Sequence, residues 1–206
     1  MQYVASKKRM EPVTQDHLRS RILAVAHQLQ HGQELRQLNM RRLAQHVGCC
    51  PGAIYYHFRS KQDLLCTIHQ GCMETLLEQL HACPNTSPLT RLVAMSQGLL
   101  RFAGSCPDSF DQLFQADAGR HSASTAEKEM AAVGQLIQAR FVVAVQQQVG
   151  PAPQAPHATD MLATLVWYFL YGLALKQRVE KENNHQNENS AEMLLFSFLG
   201  LLKHAT

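Results

Sequence analysis

The segment 39–58 constrains the fold more than any other part of the chain, because it permits only two short helices with a tight turn between them. Asn39 is a suitable N-cap and Gly48 a suitable end for a helix of two turns, and Pro51 suits the first position of a second short helix. The first helix carries its apolar residues on one side: Leu43, Ala44 and Val47. Two short helices joined by a brief glycine-containing turn have the ingredients of a helix-turn-helix.

The second short helix, predicted from Pro51 to Phe58, has two unlike faces. At about 100° per residue, Ile54 and Phe58 share one side. The residues that point nearly opposite are Gly52, Ala53 and Tyr56, with Tyr55 and His57 flanking them. Such a face is unusual toward solvent but suits the major groove, because small residues permit close approach and Tyr and His hydrogen-bond phosphates or base edges. The alternative interpretation is a half-buried aromatic patch that closes a small three-helix core.

Residues 38–65, LNMRRLAQHVGCCPGAIYYHFRSKQDLL, resemble the DNA-binding signature of the TetR family of bacterial transcription regulators over nearly its whole length. The resemblance implies that Arg41 reaches DNA from the start of the second helix, and that Tyr55 and Lys61 hold phosphates. It also implies that five residues lie against base edges: Pro51, Gly52, Ala53, Tyr56 and His57. Without the resemblance, Arg41 and Lys61 are equally explained as solvated residues at helix starts.

The sequence departs from the family pattern at Cys49-Cys50, where an apolar residue followed by Ser or Thr is common. Loss of that cap is expected to cost about 1 kcal/mol of local stability. The short helix that begins at Pro51 is then expected to be somewhat frayed without DNA. The pair also raises the hypothesis of a redox switch beside this helix, although free cysteine is commonly just a small buried residue. None of the six cysteines forms a CxxC or a paired zinc spacing, so we expect reduced thiols and no metal.

Helical periodicity runs through the rest of the chain, which predicts an all-α protein without strands. We expect an N-terminal three-helix DNA-binding domain over 1–63, and a C-terminal helical bundle for ligand binding and dimerisation over 64–206. A helix at 61–83 is predicted to connect them, and the first helix is expected between Thr14 as N-cap and Gly32. Five further helices are predicted near 89–105, 108–117, 124–149, 158–182 and 190–204.

Positive charge is concentrated in the first domain. Residues 1–63 hold ten Lys/Arg against four Asp/Glu, whereas the remainder holds nine against twelve. Nucleic-acid phosphates are the natural counter-charge. No run of about 18 uninterrupted apolar residues and no apolar signal region are present, so we expect a cytoplasmic protein with no membrane partner. The sequence contains no HExxH, GxSxG or phosphate-binding glycine loop, which argues against an enzyme and against a cofactor.

Two stretches of the C-terminal part, 102–114 and 166–174, resemble a common TetR subtype, the WHG type. That subtype has His before the glycine, where this chain has Tyr171. Six aromatic residues could line the cavity of an unidentified small ligand: Phe102, Phe110, Phe114, Trp167, Tyr168 and Tyr171. All of them except Tyr168 are taken as candidate ligand residues. Aromatic residues at helical spacing are more often plain core, so we expect only one or two of them to contact a ligand.

The last two predicted helices are apolar on more than one face. The residues concerned are Leu162, Leu165, Val166, Phe169, Leu170 and Leu173 in one, and Leu194, Leu195, Phe198, Leu199 and Leu202 in the other. One face would pack inward and another against a second subunit, which predicts a homodimer with a four-helix interface. Together these features predict a repressor released from a palindromic operator by a small ligand. The alternative is a protein of the same fold that binds DNA but responds to a protein partner.

Overall fold

The computed structural model describes residues 15–30, 39–83, 87–115, 124–150, 158–182 and 189–202. All regular structure in these residues is α-helical, which confirms the predicted fold class. The helices in chain order are α1 (Gln15–Gln30), α2 (Met40–Val47), α3 (Pro51–His57), α4 (Lys61–His81), α5 (Pro88–Ser105), α6 (Pro107–Gln115), α7 (Thr125–Val149), α8 (Ala158–Glu182) and α9 (Asn189–Leu202). The chain separates into two compact units, Met1–Leu64 and Leu65–Thr206.

The predicted helix bounds lie within two residues of the observed ones wherever both can be compared. α4 ends at His81, two residues before the predicted end, and Ala82 and Cys83 form a bend. The predicted ends Thr14, Gly32, 116–117 and 203–204 lie outside the described residues. The agreement follows from local signals, since caps and helix breakers act on the adjacent backbone.

In the N-terminal unit, α2 is closed at both ends by the residues that the sequence indicates. The Asn39 carboxamide oxygen accepts a hydrogen bond from the Arg41 N–H at 2.9 Å, which confirms the predicted N-cap. Gly48 ends the helix with φ +73°, a left-handed conformation that favours glycine. The Arg21 guanidinium of α1 donates to the carbonyl oxygen of Val47, so a neighbouring helix also satisfies this terminus.

The core of the N-terminal unit is small and apolar. α1, α2 and α3 pack against one another. Their buried side chains are Ile22, Ala26, Met40, Leu43, Ala44, Val47, Ile54 and Phe58. Full burial of a large apolar side chain contributes roughly 1.5–3 kcal/mol, so these few residues hold the three helices in place.

In the C-terminal unit, α5, α7 and α8 pack on one another, α6 packs on α5, and α9 packs on α8 and α5. Among the large apolar side chains fully buried there are Met73, Leu76, Leu92, Leu99, Phe110, Ile137, Phe141, Val166, Leu170 and Leu195. α7 begins with a capping box, in which Ser124 Oγ accepts from the Glu127 N–H and the Glu127 carboxylate accepts from the Ser124 N–H. α7 therefore begins one residue after the predicted start at 124.

α8 supplies both core and surface. By length and composition alone, its stretch Ala158–Lys181 is sufficient to cross a membrane, and it is the one such helix in the part of the chain that the structure describes. About a third of its most apolar 18-residue stretch is buried inside the protein. The buried residues of α8 include Val166, Trp167 and Leu170, which belong to the core. A core helix of a soluble protein meets the same criterion, so the finding is weak evidence for a membrane span.

Candidate functional site

α3 turns one face inward and presents the other to solvent. Ile54 is fully buried and Phe58, which follows the helix, is 1% exposed, as the helical wheel predicts. On the other side Tyr56 is 71% exposed and Tyr55 is 50% exposed. Of the other predicted groove residues, Pro51 and Gly52 are exposed, whereas Ala53 and His57 are half-buried. The aromatic patch therefore does not close the small core, and the alternative interpretation of it is wrong.

The junction between α3 and α4 is held by its own polar side chains. The Asp63 carboxylate accepts from the Arg59 N–H at 2.9 Å, and Ser60 Oγ accepts from the Asp63 N–H at 3.0 Å. These bonds satisfy donors that the start of α4 leaves open. They flank the first residue of α4, Lys61, which is half-buried and which the family resemblance assigns to a phosphate.

The side chains around α3 are predominantly basic. In residues 17–28 and 39–64, whose side chains the structure describes, six Lys/Arg stand against one carboxylate, that of Asp63. Arg41 and Arg42 are both exposed at the start of α2. This surface suits a nucleic acid. Its cations can pair with phosphates, and its small residues and exposed tyrosine rings can approach the edges of base pairs.

The two cysteines of the turn differ in environment. Cys50 is exposed and occupies the N-cap position of α3 without any side-chain capping bond, as the sequence predicts. Cys49 is half-buried, and burial raises the pKa of its thiol, with the neighbouring Cys50 adding to the rise and Arg21 opposing it. A raised pKa leaves less of the reactive thiolate, which weakens the redox hypothesis for Cys49.

Comparison with known proteins identifies the family. Residues 22–66, which span most of α1, all of α2 and α3 and the start of α4, match the family model for bacterial regulatory proteins of the tetR family. Residues 22–66 therefore form a DNA-binding domain of the TetR type, which supports a DNA-binding regulator of transcription. No curated relative matches the sequence significantly.

Solved structures share the fold of this protein across most of its length. A protein with unknown function from Rhodococcus sp. RHA1 has a TM-score of 0.70 at 16% identity, with 97% of this chain and 98% of that one covered. FadR from Bacillus subtilis, in complex with stearoyl-CoA, has a TM-score of 0.61 at 13% identity, with 91% and 99% covered. A putative TetR-family regulator from Vibrio parahaemolyticus has 0.55 at 21% identity, with 79% and 86% covered. At these identities the likeness concerns the fold alone.

The C-terminal unit brings four of the five predicted ligand residues together. We call Phe110, Phe114, Trp167 and Tyr171 the aromatic cluster. Phe114 lies centrally, with ring centroids 4.6 Å from both Trp167 and Tyr171 and 4.9 Å from Phe110. Phe110 and Trp167 are buried, whereas Phe114 and Tyr171 are half-buried. The fifth residue, Phe102, is buried in the same core but makes no ring contact within the described residues.

Two neighbours of the aromatic cluster were not predicted from sequence. Phe141 of α7 meets Trp167 edge to face, with ring centroids 5.4 Å apart. Arg178 of α8 places its guanidinium carbon 5.2 Å from the ring centroid of Phe110. A signal was available for Arg178, because it follows Tyr171 by seven residues and so shares its side of the helix.

The outer sides of α8 and α9 are apolar, as the sequence predicts. The exposed large apolar residues of α8 are Met161, Leu165, Tyr168, Leu175 and Val179, and those of α9 are Met193, Leu194, Phe196 and Leu201. Those of α8 recur at steps of three, four and seven residues, which places them in one stripe. The predicted residues divide between the two sides: Val166, Leu170, Leu173, Leu195 and Leu199 are buried, Leu162, Phe169 and Phe198 are half-buried, and Leu165 and Leu194 are exposed. The side chain of Leu202 lies outside the described part.

Proposed function

We propose that this protein is a homodimeric, cytoplasmic repressor of the TetR family that binds a palindromic operator and leaves it when a small ligand binds the C-terminal unit. The observation that carries the proposal is the outward face of α3, where Tyr56 is 71% exposed beside Gly52 while Ile54 is fully buried. A helix of this kind is held by its apolar side and is free to enter the major groove with the other.

Each predicted contact has a role in this proposal. Arg41, Tyr55 and Lys61 bind phosphates and fix the register of the domain on the duplex. The residues that read or approach base edges are Pro51, Gly52, Ala53, Tyr56 and His57. The half-burial of Ala53 and His57 makes them lesser contributors than Tyr56. In a dimer, two copies of α3 about 34 Å apart would read successive major grooves of a palindrome.

The apolar stripe on α8 and the exposed side of α9 support the homodimer. A contiguous exposed apolar surface on a soluble chain marks an interaction site. Two helices from each of two subunits form a four-helix interface in which the same stripe meets itself. The N-terminal unit would then be the DNA-binding domain and the C-terminal unit the ligand-binding and dimerisation domain.

The aromatic cluster supports a small ligand as the signal. Ligand sites are lined mainly by apolar and aromatic side chains with a few polar groups, which is the composition found around Phe114. A fold neighbour, FadR, is seen in complex with stearoyl-CoA, so a fold of this kind holds a ligand. Full switching from 1:99 to 99:1 requires the ligand to favour the released state by about 5.5 kcal/mol. A protein partner acting in place of the ligand is the second candidate.

The direct test is the DNA affinity of Tyr56→Ala. Operator fragments are first retained from genomic DNA by the wild-type protein, and binding is then measured by fluorescence anisotropy. Because Tyr56 is exposed, its loss leaves thermal unfolding unchanged but lowers specific affinity by about 10-fold or more, the loss of base contacts from both protomers. Tyr56→Phe keeps the ring but lacks the hydroxyl, so its affinity separates the contributions of these two groups. Undiminished specific binding by Tyr56→Ala would refute the assignment of α3.

Salt dependence tests the phosphate contacts separately. If Arg41 and Lys61 of both protomers neutralise phosphates, the logarithm of affinity falls with the logarithm of salt concentration at a slope of about −4. Arg41→Ala is expected to reduce that slope by about 2, because one contact is lost per protomer. Arg42→Ala is the matched control, being the adjacent exposed arginine. An equal change in both variants would contradict the role given to Arg41.

A further inference from the structure

One half-buried arginine beside the aromatic cluster is incompletely paired. Arg178 Nη1 donates to the Asp111 carboxylate at 2.8 Å, and Nη2 donates to the Pro107 carbonyl oxygen at 3.1 Å. Its Nε is buried and, within the described residues, is the one buried side-chain nitrogen or oxygen without a hydrogen-bond partner. An unpaired buried donor is destabilising, and a native protein rarely keeps one without a reason. Nε–H is therefore a donor that an additional acceptor could satisfy.

The surroundings of this donor are aromatic. The guanidinium lies over the Phe110 ring, and the same ring stacks on Tyr171 with centroids 5.8 Å apart. Trp167, Tyr171 and Arg178 follow one another at steps of four and seven residues, so α8 presents them on one side. Phe114 and Tyr171 are only half-buried, which leaves part of both rings accessible. A flat apolar group can therefore contact the accessible parts of these two rings, on the side of α8 that also carries Arg178.

A second cation of α8 lies close to this place. Lys181 lies one helical turn beyond Arg178, and its Nζ is 3.4 Å from the position a Cβ would occupy on Gly104, at the end of α5. Pro107, which accepts from Arg178, begins α6 at the same junction. Two cations of α8 thus meet the junction of α5 and α6, and the Asp111 carboxylate is paired with one of them.

We propose that the C-terminal unit binds a small aromatic carboxylate, with the carboxylate on Arg178 Nε and the ring against Phe114 and Tyr171. An ionised acceptor on a guanidinium forms a stronger bond than a neutral one, and the planar fork of arginine matches a carboxylate. The aromatic cluster supplies offset or edge contacts for a second ring system. This inference rests on the proposed function, because it names the chemical class of the ligand that the repressor would bind. Ligand binding can nevertheless be tested without DNA.

The probe is 2-naphthoate, with 2-naphthamide as its neutral counterpart of the same shape. Binding is measured by isothermal titration calorimetry, and its location by fluorescence, because Trp167 is the only tryptophan in the chain. Naphthoate is expected to bind saturably and to quench Trp167, and naphthamide to bind at least 10-fold more weakly. Arg178→Lys, which keeps the charge but loses Nε–H and the fork, is expected to weaken naphthoate at least 10-fold. Arg101→Lys, at an exposed arginine of α5, is the control and should bind as the wild type does.

The proposal is overturned if naphthamide binds the wild-type protein as tightly as naphthoate, if naphthoate leaves Trp167 fluorescence unchanged, or if folded Arg178→Lys binds like the control. The comparison of the two probes needs no variant, so it decides the question even if Arg178→Lys does not fold. Operator binding without any ligand is measured in parallel. If the wild-type protein binds operator DNA but not naphthoate, this inference alone is contradicted. If it binds naphthoate but not DNA, the proposed function alone is contradicted.

Discussion

The outer face of α3 and the outer face of α8 both expose large apolar side chains, yet they differ in chemistry. On α3 the exposed rings are those of Tyr55 and Tyr56, which end in hydroxyls and stand beside small residues and the arginines of α2. On α8 the exposed residues are mainly aliphatic, with Met161, Leu165 and Val179 each more than half exposed. Equal exposure therefore does not indicate the same kind of partner.

The difference lies in what each face can satisfy. A tyrosine ring with a polar tip and a nearby guanidinium can pair with phosphates and base edges, so the face of α3 suits a polyanion. Aliphatic side chains gain free energy only by leaving water, so the face of α8 suits another apolar surface, and a second copy of the same stripe provides one. Four substitutions can break or sharpen this comparison.

The largest effect is expected from Leu165→Asp on α8. The side chain is 58% exposed in one chain, so the monomer should fold, but a dimer would bury two like charges that lack partners. We expect dimerisation to weaken by about 100-fold or more, as measured by sedimentation equilibrium over a range of concentrations. Leu136→Asp on α7 is the matched control, because that leucine is 55% exposed. Dissociation of the control with Leu165→Asp still dimeric would assign the interface to α7.

An intermediate effect is expected from two glycines of the helix-turn-helix. Gly48→Ala forces a side chain into φ +73° with its Cβ 3.1 Å from the Arg21 guanidinium, and should lower the free energy of unfolding by about 1–2 kcal/mol. At Gly52 a Cβ meets only Cys50 Sγ, at 4.0 Å, so Gly52→Ala should preserve or raise stability.

Comparison of Gly48→Ala with Gly52→Ala separates an effect on stability from an effect on DNA binding. Urea unfolding measures stability, and anisotropy measures operator affinity. We expect Gly52→Ala to weaken operator binding although it is stable, because its methyl group would stand between α3 and the base edges. Operator binding at wild-type strength by Gly52→Ala would show that α3 does not approach the groove closely on this face.

The smallest effect is expected from Cys50→Ser, which restores an N-cap to α3. The Cys50 backbone is already extended, at φ −80° and ψ 151°, as a capping residue requires. A serine hydroxyl there should accept from an N–H of the first turn and stabilise α3 by about 1 kcal/mol. Hydrogen exchange of the α3 amides measures this local opening, with Cys50→Ala as the control. Equal protection in both variants would indicate that the absent cap has no effect on α3.

Much of the N-terminal unit was predictable because its signals act over a few residues. The cap of Asn39, the left-handed Gly48 and the first-turn position of Pro51 each concern adjacent backbone, and all are observed as predicted. The buried face of α3 was also predictable, since the burial of Ile54 and Phe58 follows from the helical repeat. Periodicity located the C-terminal helices for the same reason.

The sequence by itself determined the helices, their ends and the division of α3 into two faces, because these depend on residues no more than about one turn apart. Only the tertiary structure decided which apolar side of α8 is core, and that Phe102 stands apart from the other aromatic residues. It alone paired Arg178 with Asp111, 67 residues away, and left Nε without an acceptor. Such pairings depend on how helices pack, and periodicity within one helix carries no information about its neighbours.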